Sequence, residues 1–214
     1  MKYLSLLFVC LCGISYAQPK LPFAEEVEAL QKKYDTLWDP AKETIVFAGS
    51  SSIKFWKDLE TVFPEHHIVN SGFGGSKASD LLLHTDALIL RYKPKQVFLY
   101  EGDNDVAGKE NVKTIIGTTK KIIAQIKAED ATTAIVIIAA KPSIARWHLR
   151  RKYKKLNKHF KRLCNQDAAL TYGNVWNIML TKGKVKNDIF IEDGLHMNKK
   201  GYQLWYTVIA PLIN

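Results

Sequence analysis

Cysteine is scarce: the chain of 214 residues has three. Two of them, Cys10 and Cys12, fall in an N-terminal apolar run, so Cys164 is left alone in the remainder, which excludes an internal disulfide framework. Cys164 lies on the apolar side of a helical pattern and is expected to be a buried, inert thiol. There is no Cys/His ligand cluster, so neither a metal nor an organic cofactor is implied. No stretch offers the roughly 20 apolar residues of a membrane-spanning helix, and no repeat, linker or low-complexity tract interrupts the chain. The spacing G-x-x-x-x-G-K-[ST] of a nucleotide-binding P-loop is also missing.

Acid is missing from one long segment. Between residues 147 and 165 the exposed side of a helical pattern carries Arg150, Arg151, Lys152, Lys154, Lys155, Lys158, Lys161 and Arg162 without an Asp or Glu. These cations nearly account for the formal net charge of +10, from 31 Lys+Arg against 21 Asp+Glu. Two readings stay open: a solvated face that keeps the protein soluble, or attraction to an anionic surface or polymer such as lipid headgroups, acidic polysaccharide or nucleic acid.

What is present first is an export pattern. Lys2 precedes the apolar run Leu4 to Cys12, and Ser15-Tyr16-Ala17 supplies the small residues that a signal peptidase reads. Residues 1–17 are therefore expected to be a signal peptide, and 18–214 a single exported domain, secreted or periplasmic. Val9 and Leu11 are large for the position before a lipidated cysteine, which disfavours a lipid anchor.

The remainder alternates strand and helix patterns. Apolar residues at helical spacing predict a helix over 23–38, ended by Asp39-Pro40. Strands are predicted at Ile45–Ala48, His67–Asn70, Gln96–Tyr100, Ala134–Ala139 and, more weakly, Ala168–Tyr172. Helices are predicted over 79–92, 111–128, 147–165 and 202–212. Ala134–Ala139 is the most apolar run and is expected at the centre of the sheet. Parallel returns need crossovers, so this order predicts an α/β fold, a three-layer α/β/α sandwich around a five-stranded parallel, doubly wound sheet.

Four loops at strand ends carry candidate chemistry. Gly49-Ser50-Ser51-Ser52 presents hydroxyls at the carboxyl end of the first strand. A serine needs a base, and the base a carboxylate to hold its tautomer, a pair that Asp193 and His196 supply three residues apart. The glycines of Ser71-Gly72-Phe73-Gly74-Gly75 can turn backbone N–H groups toward an oxyanion, and Asn104 can add a side-chain amide. Taken singly, each has a plainer reading: a helix cap or surface pair for Asp193 and His196, a turn for the glycines, an Asx-turn or helix cap for Asn104.

Together, in this order, the four blocks resemble the SGNH hydrolase superfamily, the GDSL esterases and lipases. The resemblance covers about residues 43 to 212, with Gly49-Ser50-Ser51-Ser52, Asn70 to Gly75, Gly102-Asp103-Asn104-Asp105 and Asp193-Gly194-Leu195-His196 as the matching blocks. It implies a flavodoxin-like fold, Ser51 as nucleophile, His196 as base and Asp193 as its orienting acid. Ser51 N–H, Gly75 N–H and Asn104 are implied as oxyanion donors. One departure concerns Ser50, which stands where the family has an aspartate that helps to hold the site loops. Arg146, in Lys141-Pro142-Ser143-Ile144-Ala145-Arg146, lies where family members build the substrate rim; an exposed surface arginine is the plainer reading.

The resemblance implies a serine ester hydrolase that works through an acyl-enzyme without cofactor. A short acyl group is expected, for example O-acetyl groups of a carbohydrate. The alternatives are a lysophospholipase or other lipid-ester hydrolase and, in another class, a non-catalytic binder of an anionic polymer or of phosphate.

Overall fold

A computed structural model describes residues 20–214. The expected signal segment lies outside the described residues.

The chain begins with helix α1 (Ala24–Leu37) and enters strand β1 (Thr44–Gly49), followed by two single-turn helices, α2 (Ser51–Lys54) and α3 (Leu59–Val62). Strand β2 (His67–Gly72) leads to the short helices α4 (Ala78–Leu83) and α5 (Thr85–Leu88), then to β3 (Gln96–Tyr100). After α6 (Asp103–Ala107) and α7 (Val112–Glu129) come β4 (Ala134–Ile138), α8 (Arg150–Cys164), β5 (Leu170–Gly173) and α9 (Val175–Ile178). A small antiparallel pair, β6 (Leu180–Thr181) and β7 (Lys184–Val185), precedes α10 (Lys199–Ile209).

The five main strands are all parallel, in the order β2-β1-β3-β4-β5. Alternation sorts their side chains into two cores. Val46, Ala48, Val69, Val97, Leu99, Ile135 and Ile137 face α1, α4, α5, α7 and α8. Ile45, Phe47, Ile68, Phe98, Tyr100, Val136 and Ile138 face α2, α3, α9 and α10. Phe47 and Phe98 are register partners whose rings stack with centroids 4.3 Å apart. Helices on both faces make a three-layer α/β/α sandwich.

Three sequence expectations change. β3, not β4, is the central strand; β4 is apolar because helices cover both its faces, a condition that a strand beside the centre meets equally well. The helix expected over 79–92 is broken at His84 and Ile89. His84 has left the helical region with φ −114° and ψ 14°, and its ring Nε2 lies 2.6 Å from the Pro22 carbonyl. The last helix starts three residues early, because the Asn198 side chain caps it by accepting from Gly201 N–H at 3.2 Å.

The chain runs from β1 outward to β2 and then returns to the other side of β1 as β3. This reversal opens a crevice beyond the carboxyl ends of β1 and β3, the usual ligand position in such sheets.

Candidate active site

Ser51 sits at that crevice, as the first residue of α2 immediately after β1. Gly49 has φ +151°, and a Cβ there would lie 2.1 Å from the Tyr100 carbonyl oxygen, so only glycine lets β1 meet β3 at this point. Ser50 then takes an extended conformation as the cap residue. Its N–H donates to Tyr100 O at 3.2 Å, and its carbonyl accepts from Ile53 N–H at 2.9 Å and Lys54 N–H at 3.2 Å. The backbone of Ser50 thus ties the turn to β3, whatever its side chain contributes. Ser50 and Ser52 are only 2% and 3% exposed, whereas Ser51 is half-buried.

Ser51 is also the serine that a histidine reaches. His196 Nε2 lies 3.0 Å from Ser51 Oγ, and His196 Nδ1 lies 2.5 Å from Asp193 Oδ2. A carboxylate only accepts, so Nδ1 carries the proton and Nε2 is left as an acceptor for the serine hydroxyl. Burial opposes ionisation of Asp193, yet the N–H groups of Leu195 and His196 together with the His196 ring hold its pKa down to about 2. Those N–H groups bond Asp193 Oδ1 at 2.8 and 2.9 Å, so one carboxylate oxygen fixes the loop and the other orients the imidazole. Phe55 packs edge-on against the His196 ring, with centroids 5.0 Å apart.

The glycine loop is held from two sides. Asn70 Nδ2 donates to Ile53 O at 3.1 Å and Asn70 Oδ1 accepts from Gly72 N–H at 3.0 Å, linking β2 to α2. From α1, Glu26 Oε1 accepts from Gly74 N–H at 2.9 Å and pairs with Lys54 Nζ at 2.7 Å. Gly75 follows with φ +77°, in the left-handed region, and apart from its chain neighbours no described residue lies within 4 Å of where its side chain would begin. Its N–H meets no acceptor among the described residues.

Asn104 lies in the loop after β3, at the start of α6. Its Nδ2 donates to Ser76 O at 2.8 Å, and its Oδ1 accepts from Nη1 and Nη2 of Arg146, both at 3.1 Å. The Arg146 side chain is therefore neither a free rim group nor an exposed surface arginine; it is partly buried and engaged on both sides. Its other partner is Asp103, with Nη1 to Oδ1 at 2.6 Å.

Asp103 anchors a polar core that the sequence did not announce. Lys141 Nζ reaches its Oδ2 at 3.0 Å, Tyr153 OH donates to its Oδ1 at 2.6 Å, and Tyr100 OH donates to Oδ2 at 3.1 Å. Burial alone would raise the Asp103 pKa, but the charges of Lys141 and Arg146 and the Tyr153 hydroxyl hold it far below the ordinary carboxylate range. Lys141 is 1% exposed, and a buried charge of this kind survives only when paired. Its signal in the sequence was a lysine two residues beyond the predicted end of the most apolar strand; its partner lies 38 residues earlier, beyond any local pattern.

The cluster of Ser51, His196 and Asp193 is open to solvent, with the side chains of His196 and Asp193 23% and 42% exposed. Exposed Phe55, Ile144 and Ile191 belong to its surroundings. Phe55 touches the His196 ring, Ile144 abuts Gly194, and Ile191 N–H donates to His196 O at 2.9 Å. Among the described residues no group of three or more His, Cys, Asp or Glu is arranged to hold a metal ion.

Residues 45–204 match the family described as GDSL-like Lipase/Acylhydrolase. No curated protein matches the chain in sequence. Among solved structures, a protein from Streptococcus pneumonia superposes with a TM-score of 0.77 at 22% identity, over 88% of this chain and 92% of that one. A GDSL-like lipase from Bacteroides thetaiotaomicron gives 0.72 at 20% identity, over 89% of this chain and 94% of that one. A catalytic mutant of an acetylxylan esterase from Geobacillus stearothermophilus gives 0.65 at 16% identity, over 79% and 93%. These likenesses establish a shared fold.

Proposed function

The chain belongs to the GDSL-like lipase/acylhydrolase family, within the SGNH hydrolases, and from that premise we propose that it is a serine ester hydrolase acting through an acyl-enzyme. The observation that carries the reading is the contact of Ser51 Oγ with His196 Nε2 at 3.0 Å, with Asp193 on the other ring nitrogen.

In this mechanism His196 Nε2 takes the Ser51 proton as Oγ bonds to the ester carbonyl carbon. The carbonyl oxygen becomes an oxyanion that accepts hydrogen bonds from Ser51 N–H, Gly75 N–H and the Asn104 amide, donors worth about 3 kcal/mol of barrier each. His196 then gives its proton to the leaving alcohol as the C–O bond breaks. Water enters, His196 accepts its proton, and collapse of the second oxyanion releases the acid and returns the proton to Ser51. Asp193 stays ionised throughout and steadies the imidazolium.

A solvent-open triad suits a bulky alcohol side and a small acyl side, because a large leaving group stays outside while the carbonyl reaches Ser51. O-acetyl groups of a carbohydrate fit this description, and the fold shared with an acetylxylan esterase is consistent with it. Exposed Phe55, Ile144 and Ile191 support a second reading, in which the alcohol side is lipid-like, as in a lysophospholipase. Export of a mature domain beginning near residue 18 is part of the proposal.

The test uses a fluorophosphonate probe and p-nitrophenyl acetate on wild type, Ser51→Ala and His196→Ala. Labelling and turnover are expected in wild type alone. Either one persisting in Ser51→Ala removes that residue as nucleophile. A folded wild type that turns over no aryl, acetyl-sugar or lysolipid ester supports the binder reading.

A further inference from the structure

Arg146 and Asn104 form a contact whose chemistry reaches past anchoring. An asparagine amide has two orientations, and only one of them gives an oxyanion a donor. Here the guanidinium offers two N–H groups to Oδ1, at 3.1 Å each, while Nδ2 gives one N–H to Ser76 O at 2.8 Å. A flipped amide would set its NH2 against a cation and its oxygen against a carbonyl, so this environment admits one orientation. The second Nδ2 N–H is then available to a substrate oxygen.

We propose that Arg146 is a positioning residue for the oxyanion site, locking Asn104 as a one-way donor and strengthening it by polarising its amide. Charge-assisted bonds to Oδ1 draw electron density from nitrogen toward oxygen, and bonds in such a chain reinforce one another. The guanidinium is itself fixed by Asp103, whose carboxylate is held in turn by Lys141, Tyr153 and Tyr100. The relay therefore runs from the buried core under α8, through Asp103 and Arg146, to Asn104. Asp103 is shared between two cations, Lys141 and Arg146, and Arg146 is the one that reaches Asn104. The fork is what matters: lysine at this position offers one direction of charge but cannot bridge Oδ1 and Asp103 with a planar pair of donors.

The inference rests on the esterase reading, so its test has a part that does not depend on turnover. Arg146→Gln, Arg146→Lys, Asn104→Ala and the double variant Arg146→Gln/Asn104→Ala are compared on p-nitrophenyl acetate, with thermal unfolding as a check that each is folded. Arg146→Gln is expected to lower kcat by about 10- to 100-fold with KM little changed, the pattern of a lost transition-state contact. Arg146→Lys should fall between it and wild type. In the Asn104→Ala background the same Gln substitution should cost less than about twofold, because its route to the substrate is gone. A rise in KM with kcat intact makes Arg146 a substrate contact and overturns the proposal. So does an equal loss in both backgrounds. Independently of catalysis, the Asn104 side-chain amide resonances should move in Arg146→Gln; resonances unchanged from wild type overturn the polarisation. If wild type neither turns over esters nor takes the fluorophosphonate while these resonances do respond, the esterase reading fails and the Arg146 to Asn104 coupling stands.

Discussion

Three adjacent serines, chemically alike in the sequence, have separate positions in the folded chain. Ser50 fixes the turn through its backbone, Ser52 is buried with its carbonyl accepting from Tyr202 OH at 3.0 Å, and Ser51 alone faces His196. The place of the family aspartate at position 50 is thus bridged by main-chain bonds to Tyr100, Ile53 and Lys54, which a substitution of the side chain leaves in place. Asp193 has a comparable division of labour between its two oxygens. Asp193→Asn keeps an acceptor for the Leu195 and His196 N–H groups but can present an N–H to the ring, which favours the wrong tautomer. Its kcat on p-nitrophenyl acetate is expected to fall on the order of 10³- to 10⁴-fold with unfolding temperature nearly unchanged. Because the Asp193 pKa is held to about 2, wild-type activity should show no inflection from this group above about pH 4. A loss under tenfold in Asp193→Asn sinks its assigned role.

At the level of elements, what could be read from the sequence was whatever a short window determines. β1, β3 and β4 appear as apolar runs because strands covered on both faces need continuous apolarity, whereas the edge strands β2 and β5 carry polar residues such as Asn70 and Thr171. The same property hid their order, since β3 and β4 are equally covered and only the crossovers decide which is central. The break at His84 depends on the Pro22 carbonyl 62 residues away, and no window of the helix pattern contains it. The pair β6 and β7 is joined by Lys182 and Gly183, both with positive φ, a hairpin turn that the Lys-Gly dipeptide marks only weakly. In the site, Ser51, Asp193 and His196 stood out by block order, whereas Asp103, Lys141 and Tyr153 meet only through the fold. Helix α8 was the reverse case, plain in sequence and undetermined in role. Its apolar side is spent on the core through Tyr153, Leu156 and Phe160, leaving exposed cations with no ion pair among the described residues. Lys154, Lys158 and Lys161 line a groove of about 370 Å³ with Asn174 and Asn177 across from them. No large exposed apolar side chain lies on this helix, which argues for an acidic polymer over a lipid surface. Ser51→Ala is expected to be retained on a heparin column, and Lys154→Glu/Lys158→Glu/Lys161→Glu to elute at clearly lower salt with unaltered p-nitrophenyl acetate turnover. Equal elution of the two refutes it.

For the molecule as a whole, the loop after β3 concentrates buried acids whose titration opposes one another. Asp103, held far below its ordinary range, stabilises the fold above its unfolded pKa, and this contribution is lost as pH falls toward its folded value. Glu101 goes the other way: burial raises its pKa well above the usual value despite the Ser76 hydroxyl at 2.7 Å, and its Oε2 has no partner among the described residues. Asp105 is raised mainly by burial to about 6 from 3.8, although Ala78 N–H bonds both its oxygens at 3.2 Å. For a carboxyl raised in this way the folded state binds its proton more tightly than the unfolded one. Its favourable contribution is complete below about pH 4 and disappears as pH rises through about 6, leaving the ionised form a burden at neutral pH. The separation of about two units corresponds to about 3 kcal/mol at most. Asp105→Asn keeps an acceptor for Ala78 N–H and cannot ionise, so it should gain stability relative to wild type between pH 4.5 and pH 7.5. Urea unfolding of both proteins at the two pH values reads the effect of Asp105 together with its coupling to Glu101, whose pKa the Asp105 charge helps to raise; groups distant from this loop are common to the pair and cancel. A difference that grows by roughly 1 to 3 kcal/mol toward neutral pH is expected; one that stays constant means that Asp105 is already ionised below pH 4.5 and that burial is not what governs this loop.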